Sequence, residues 1–298
     1  MGIRKTGSAL AAFALALAMS ACGGNAGSGD EGAKVEADKD AASHLAEGSY
    51  MKELAQGHHQ RRREVRPARP RLQGRGLRHA TGFDIEMAKI LVASLGIDPS
   101  DTSKVKYVET VSDNREPFLQ SNKVDIVLAS YSITDERRKV VGQAGPYMVT
   151  GQQLLVKEGS DIAGPEDMKG KEVCSVTGST SLETAQAKGM KSRGFDTYSE
   201  CVDKVLDGTV DAMTTDGSIL MGYAAQNEGQ VKVVGDPFSE ERIGVGYPKD
   251  KPEMCQWIVD TLTKANEDGK WADAFEATLG KSGADTPDFP EMDPCPSA

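Results

Sequence analysis

The chain has 298 residues, with 35 Lys and Arg against 45 Asp and Glu for a net charge of -10, and 38% of it is hydrophobic. That length holds one large or two ordinary domains, and the acidic balance argues against a nucleic-acid partner, whose binding rests on clustered Lys and Arg displacing counterions. No apolar run reaches the roughly 18 to 20 residues that a bilayer-spanning helix needs, which excludes a polytopic membrane protein.

The first elements are signals rather than fold. Arg4 and Lys5 form a short basic start, Ala9 to Met19 is an unbroken apolar run, and Ser20, Ala21 and Cys22 follow. This is the layout of an export signal over residues 1–21. Met19-Ser20-Ala21-Cys22 resembles the lipobox of bacterial lipoproteins, in which the cysteine is acylated and becomes the new N-terminus. Residues 22–44 are rich in Gly, Ala, Ser, Asp and Glu and have too little apolar surface to order themselves, so they are expected to form a flexible tether.

From Thr81 onward helical and strand-like patterns alternate. Ile85, Ala88, Leu91, Val92 and Leu95 recur at helical spacing, and Gly96 supplies a stop. A strand is predicted over 104–108, a short helix over 114–122, and a strand covered on both faces over the apolar run 124–129. Thr134 is the candidate cap of the next helix, with Asp135 and Glu136 in its first turn. Strands over 152–156, 171–176 and 210–214 and helices over 181–191 and 199–206 form a second such set. The fold class is α/β. Val124-Asp125 and Val210-Asp211 each follow a helix and open a strand, and five residues past each Asp stands a polar residue, Ser130 or Asp216. The repetition implies two similar lobes, and both polar residues fall at carboxyl ends of strands, where open α/β sheets collect ligands.

Export places Cys174, Cys201, Cys255 and Cys295 on the oxidising side of a membrane. There is no CxxC spacing and there are only 4 His, so no metal site or thioredoxin-type chemistry is expected. Two disulfides are the expected use of the four cysteines, with buried free thiols as the alternative.

The residues able to hold a ligand are Ser130, Ser132 and Arg137 in one half and Ser179, Thr180 and Asp216 in the other. Arg presents a planar fork suited to a carboxylate, and free amides at a helix start favour an anion. Thr180 and Glu183 stand at capping-box spacing. Asp216 supplies the opposite charge, so the two halves together suit a zwitterion. Each residue taken singly also has a plainer role: a first-turn surface charge for Arg137, caps for Ser179 and Thr180, a turn for Asp216.

The stretch GFDIEMAKILVASL, residues 82–95, resembles the signature of the bacterial amino-acid-binding proteins of ABC importers, the family 3 solute-binding proteins. ASYSITDERRKVVGQAGPYMVTGQQ, residues 129–153, is similar to the family's Ser/Thr-x-Thr-x-x-Glu-Arg block, and VCSVTGSTS and VDAMTTDGSIL resemble its second-lobe ligand segments. The resemblance runs from about Thr81 to Gly280. It implies a periplasmic-binding-protein type II fold, two lobes joined by two crossover strands, here near Tyr147 to Gly151 and near Glu240 to Gly244, closing by hinge motion. Lobe one is then 45–150 with 240–298, and lobe two 151–239. The resemblance further implies that Ser130 and Ser132 bind through backbone and hydroxyl, that Arg137 takes an α-carboxylate with Ser179 and Thr180, and that Asp216 takes the α-ammonium. Glu86, in the signature helix, is expected to be solvated.

The lipobox and Cys174 with Cys201 look most like the glutamate-binding lipoproteins of high-GC Gram-positive bacteria. The implied protein is a monomer anchored on the outer face of the cytoplasmic membrane, with an amino acid and ABC permease subunits as partners and no cofactor. Within these lobes Cys174 is expected to pair with Cys201, and Cys255 with Cys295, which leaves the hinge free. Lytic transglycosylases and some dehydratases share the fold, and a sensor domain is a further alternative. The only His outside 57–80 is His44, which removes the usual general base.

Residues 57–80 stand apart, because this stretch contains 8 Arg and 3 of the 4 His but no Lys. The family places its first core strand immediately before the GFDIE signature, so a basic arm or loop does not fit there. Codons for His58 to Leu72 can be chosen so that a one-base shift reads ITSVGGKFDQPGLG, which looks like the family's opening segment. The stretch is therefore expected to be frame-disrupted, and resequencing the gene near the codons for Gln56 to His58 tests this.

Overall fold

The computed structural model describes residues 35–56 and 82–296. The export signal, Cys22 and the stretch 57–80 lie outside the described residues. Along the chain run α1 (Ala41–His44), α2 (Tyr50–Ala55), α3 (Phe83–Ala93), α4 (Arg115–Gln120) and α5 (Asp135–Val140), then β1 (Gly142–Thr150) and β2 (Gln152–Lys157). Next come β3 (Glu172–Val176), α6 (Thr180–Ala187), β4 (Lys191–Phe195), α7 (Tyr198–Asp207), β5 (Ala212–Asp216), α8 (Gly217–Gln226) and β6 (Val231–Val234). The last elements are β7 (Glu241–Tyr247), α9 (Glu253–Glu267) and α10 (Lys270–Glu276).

A five-stranded sheet in the order β4-β3-β5-β2-β6 organises the middle of the chain. β3 runs parallel to β4 and β5, whereas β2 is antiparallel to β5 and β6. β2 shows why this sheet is buried on both faces. Side chains alternate along a strand, so Leu155 enters one core with Cys174, Val202, Met213 and Leu220, while Leu154 and Val156 enter another with Ile162, Val173 and Ala212. A disulfide joins Cys174 of β3 to Cys201 of α7 inside the first of these cores.

The flanking segments build a separate core. α3 places Phe83, Met87, Ile90 and Leu91 on its buried side, where they meet Ile258 and Leu262 of α9 and Trp271 and Phe275 of α10. The Trp271 indole N–H donates to the Tyr147 carbonyl at 2.8 Å, which fastens α10 to β1. A second disulfide joins Cys255 of α9 to Cys295. β1 and β7 form a two-stranded antiparallel ribbon running from Gly142 opposite Tyr247 to Thr150 opposite Glu241. Gly151 alone separates β1 from β2, so the ribbon leads directly into the five-stranded sheet.

Five local expectations are corrected. The expected flexible tether 22–44 ends in the short helix α1, with Ala41 buried and the Asp38 N–H donating to Ala93 O at 2.8 Å, so its last residues pack on α3. Residues 104–108 form no strand, and 124–129 make only an isolated bridge between Val127 and Gly246; alternation gives a strand only where a partner supplies the ladder, and Gly246 is the one backbone partner recorded for 124–129 among the described residues. The helix predicted to reach 191 stops at Ala187, and Lys191–Phe195 is a strand. Glu86 is buried, with 1% exposure, and pairs with Lys89 at 2.7 Å.

Candidate functional site

The starts of α5 and α6 and the end of β5 meet across the boundary between the two cores. Thr134 caps α5, its hydroxyl accepting from Arg137 N at 3.2 Å, and this first turn fixes where Arg137 leaves the helix. The buried Arg137 guanidinium donates through Nη1 to Ser132 O at 2.8 Å and through Nη2 to Gly178 O at 3.1 Å, while its Nε lies 3.2 Å from Glu116 Oε1. A guanidinium carries two N–H groups on each terminal nitrogen, so each keeps one for a further acceptor. Arg115 also donates to Gly178 O at 3.1 Å, and both guanidiniums lie over the Tyr131 ring, at 4.6 Å for Arg115 and 4.9 Å for Arg137. Burial, with the repulsion of Arg137 behind it, lowers the Arg115 pKa from its ordinary value.

Ser130 and Ser132 stand beside this pair. Ser130 adopts φ 41°, uncommon for a non-glycine residue, and its N–H donates to Asp84 Oδ2 at 2.7 Å. Asp84 also accepts from the Tyr147 hydroxyl at 2.5 Å. Burial raises the Asp84 carboxyl, against the hydrogen bonds from Tyr147 and Ser130. The Ser132 hydroxyl lies 3.2 Å from that of Thr180, directly joining the two halves.

At α6 the cap is Ser179 and not Thr180. The Ser179 hydroxyl accepts from Leu182 N at 3.1 Å and donates to Val176 O at 2.6 Å. The expected Thr180–Glu183 capping box is therefore not formed, and the Thr180 hydroxyl is free to donate to Glu241 Oε2 at 3.0 Å.

Asp216 ends β5 with 4% exposure. Its Oδ1 is buried without a hydrogen-bond partner, as is Oε1 of Gln152. The two residues are register partners on β5 and β2, and directly opposite residues of an antiparallel pair project on the same face. The Gln152 amide is oriented by its own donors, since Nε2 gives hydrogen bonds to Ser181 O at 2.9 Å and Thr214 Oγ1 at 2.8 Å. Two register partners on one face thus each carry a buried acceptor oxygen without a donor, and leaving such a group unpaired costs about 1 to 3 kcal/mol. Burial, then the charges of Glu241 and Asp84, push the Asp216 carboxyl up to about 7, with Arg115 and Arg137 pulling the other way.

Hydrogen bonds thus join Ser132, Arg137 and Thr180 across the two halves, the charge of Arg137 reaches Asp216, Ser130 stands on Asp84, and the Ser179 hydroxyl is committed to its cap. Asp84, Arg115, Glu116, Tyr131, Gln152 and Glu241 belong to the same neighbourhood and were not reached from the sequence. For Asp84 the available signal was its place in the GFDIE signature.

A sequence profile of the bacterial extracellular solute-binding proteins, family 3, matches residues 71–281. The chain belongs to this family. Among family 3 relatives, the glutamate-binding protein GluB of Corynebacterium efficiens is 39% identical over 222 residues, 70% of this chain and 76% of the relative. The ABC transporter glutamine-binding protein GlnH of Bacillus subtilis is 33% identical over 207 residues, 68% of this chain and 74% of the relative. The structure of an ancestral arginine-binding protein bound to glutamine is 37% identical, with a TM-score of 0.61 over 67% of this chain and 88% of that one. The fold is accordingly the type II periplasmic-binding-protein arrangement, two α/β lobes joined by two crossover strands. β1 and β7 occupy the crossover positions.

Proposed function

We propose that this protein captures a free amino acid, glutamate first, outside the cytoplasmic membrane and hands it to the permease subunits of an ABC importer. The observation that carries this is the opposition of charges in one cleft: a buried carboxylate with an unpartnered oxygen at Asp216, and a buried guanidinium with spare donors at Arg137. In this assignment Arg137 takes the α-carboxylate together with Ser179 and Thr180 at the start of α6. Ser130 and Ser132 add polar contacts, and Asp216 with Gln152 Oε1 takes the α-ammonium. Glutamate is favoured over a neutral side chain because Arg115 adds a second buried guanidinium whose recorded hydrogen bonds run only to carbonyls, those of Ser112, Ala129 and Gly178. The names of GluB and GlnH support the same ligand class.

We assign lobe one to 45–150 and 240–298 and lobe two to 151–239, with the mature chain tethered as a monomer by a lipid on Cys22. The protein acts as a binder and not an enzyme. The one histidine among the described residues, His44, is exposed on α1, and the family relatives are solute-binding proteins. Incubation with an amino-acid panel followed by native mass spectrometry tests this: retained, unaltered glutamate is expected, and turnover to a product would overturn it.

A further inference from the structure

The chain does not stop at α10. It returns as a Pro-rich strap across the back of the β1–β7 ribbon. Phe289 stands edge-on to Trp271 with ring centroids 5.4 Å apart, Met292 packs on the same core, and Cys295 is bonded to Cys255 of α9. Between these anchors Asp293 touches three elements at once. Its N–H donates to Gly145 O of β1 at 2.7 Å, its Oδ2 accepts from Arg138 Nη2 of α5 at 2.6 Å, and its Oδ1 accepts from Arg242 Nη2 of β7.

Both arginines are next in sequence to cleft residues. Arg138 follows Arg137, and Arg242 follows Glu241, whose carboxylate holds Thr180 of the other lobe. Successive strand side chains point to opposite faces, so Arg242 leaves β7 on the side away from Glu241. A carboxylate shared by two guanidiniums makes charge-assisted hydrogen bonds to each, which fixes direction as well as distance.

We infer that Asp293 is a positioning residue: from behind the cleft it holds α5 and β7 in the mutual register that presents Arg137 and Glu241 to the opposite lobe, with the Cys255–Cys295 bond keeping the strap in place. The consequence for ligand rests on the amino-acid-binding reading; the ordering of α5 and β7 does not. Loss of the strap contact loosens the closed form, and a looser closed form shows in the rate of ligand release more than in its capture.

The test uses the full mature chain and its Asp293→Ala, Asp293→Glu and Arg138→Gln variants, read by hydrogen exchange without ligand and by stopped-flow release of glutamate. Asp293→Ala is expected to speed amide exchange in α5 and β7 but not in β3 and β5, and to raise the glutamate release rate by about three- to tenfold with capture unchanged. Asp293→Glu is expected to recover most of both effects. Arg138→Gln, which removes one arm only, should give a smaller change of the same kind and serves if Asp293→Ala does not fold. Unchanged exchange in α5 and β7, or faster exchange spread equally over both lobes, would overturn the inference, as would an unaltered release rate. If the unsubstituted chain binds no amino acid, the proposed function fails, and the exchange comparison alone decides the strap.

Discussion

Gly178 is where one residue governs whether the lobes can meet. It adopts φ 76°, and a Cβ there would sit 2.0 Å from Asp113 Oδ1, while its carbonyl receives both Arg115 and Arg137. An L side chain costs about 1 to 2 kcal/mol in this backbone region before any clash is counted. Gly178→Ala should therefore weaken amino-acid binding by about tenfold or more, and calorimetry giving an unchanged dissociation constant would contradict the closed geometry. Asp216 sets the pH response. Because its carboxyl is raised to about 7, the ligand-free folded protein holds a proton that the unfolded chain has released above its ordinary value, and ionising it costs stability as pH rises through 7. A ligand ammonium requires the ionised form. Affinity should be flat above pH 7 and fall about tenfold per unit between pH 7 and 5 as one proton competes. Asp216→Asn should bind weakly with no such slope, and calorimetry over this range decides the point.

At the scale of elements, burial on two faces and capping were legible, and edges and buried charges were not. The apolar run of β2 and the Thr134 cap of α5 both carry local signals that tertiary structure keeps. β4, KSRGF, lies at the sheet edge with mostly exposed side chains, so its composition has no apolar alternation to read. Arg115, Glu116 and Glu86 look like ordinary helix-surface charges in sequence, and only the packing of distant segments makes them partners of the cleft or buries them. The Cys174–Cys201 bond ties β3 to α7, closing a separation of 27 residues. Reducing it should lower the stability of the five-stranded lobe by about 3 to 4 kcal/mol in the chain-entropy account. A denaturant titration of Cys174→Ala/Cys201→Ala with an unchanged midpoint would show that the core alone suffices.

For the whole molecule, two lobes joined by two crossovers frame the proposed amino-acid site, and a lipid on Cys22 is the proposed means of holding it at the membrane. A diacylated N-terminus anchors stably where a single chain would not. Cys22→Ser should move the protein from the membrane fraction into the medium; retention in the membrane fraction would refute lipid anchoring. The central claim is capture of an amino acid by paired charge recognition, and calorimetry of glutamate against the mature chain and Arg137→Ala tests it most directly. One-to-one binding to the unsubstituted chain is expected, with a loss of about 2 to 5 kcal/mol in Arg137→Ala because a ligand carboxylate is left unpaired in the cleft. No heat with glutamate, or equal affinity in Arg137→Ala, would contradict it.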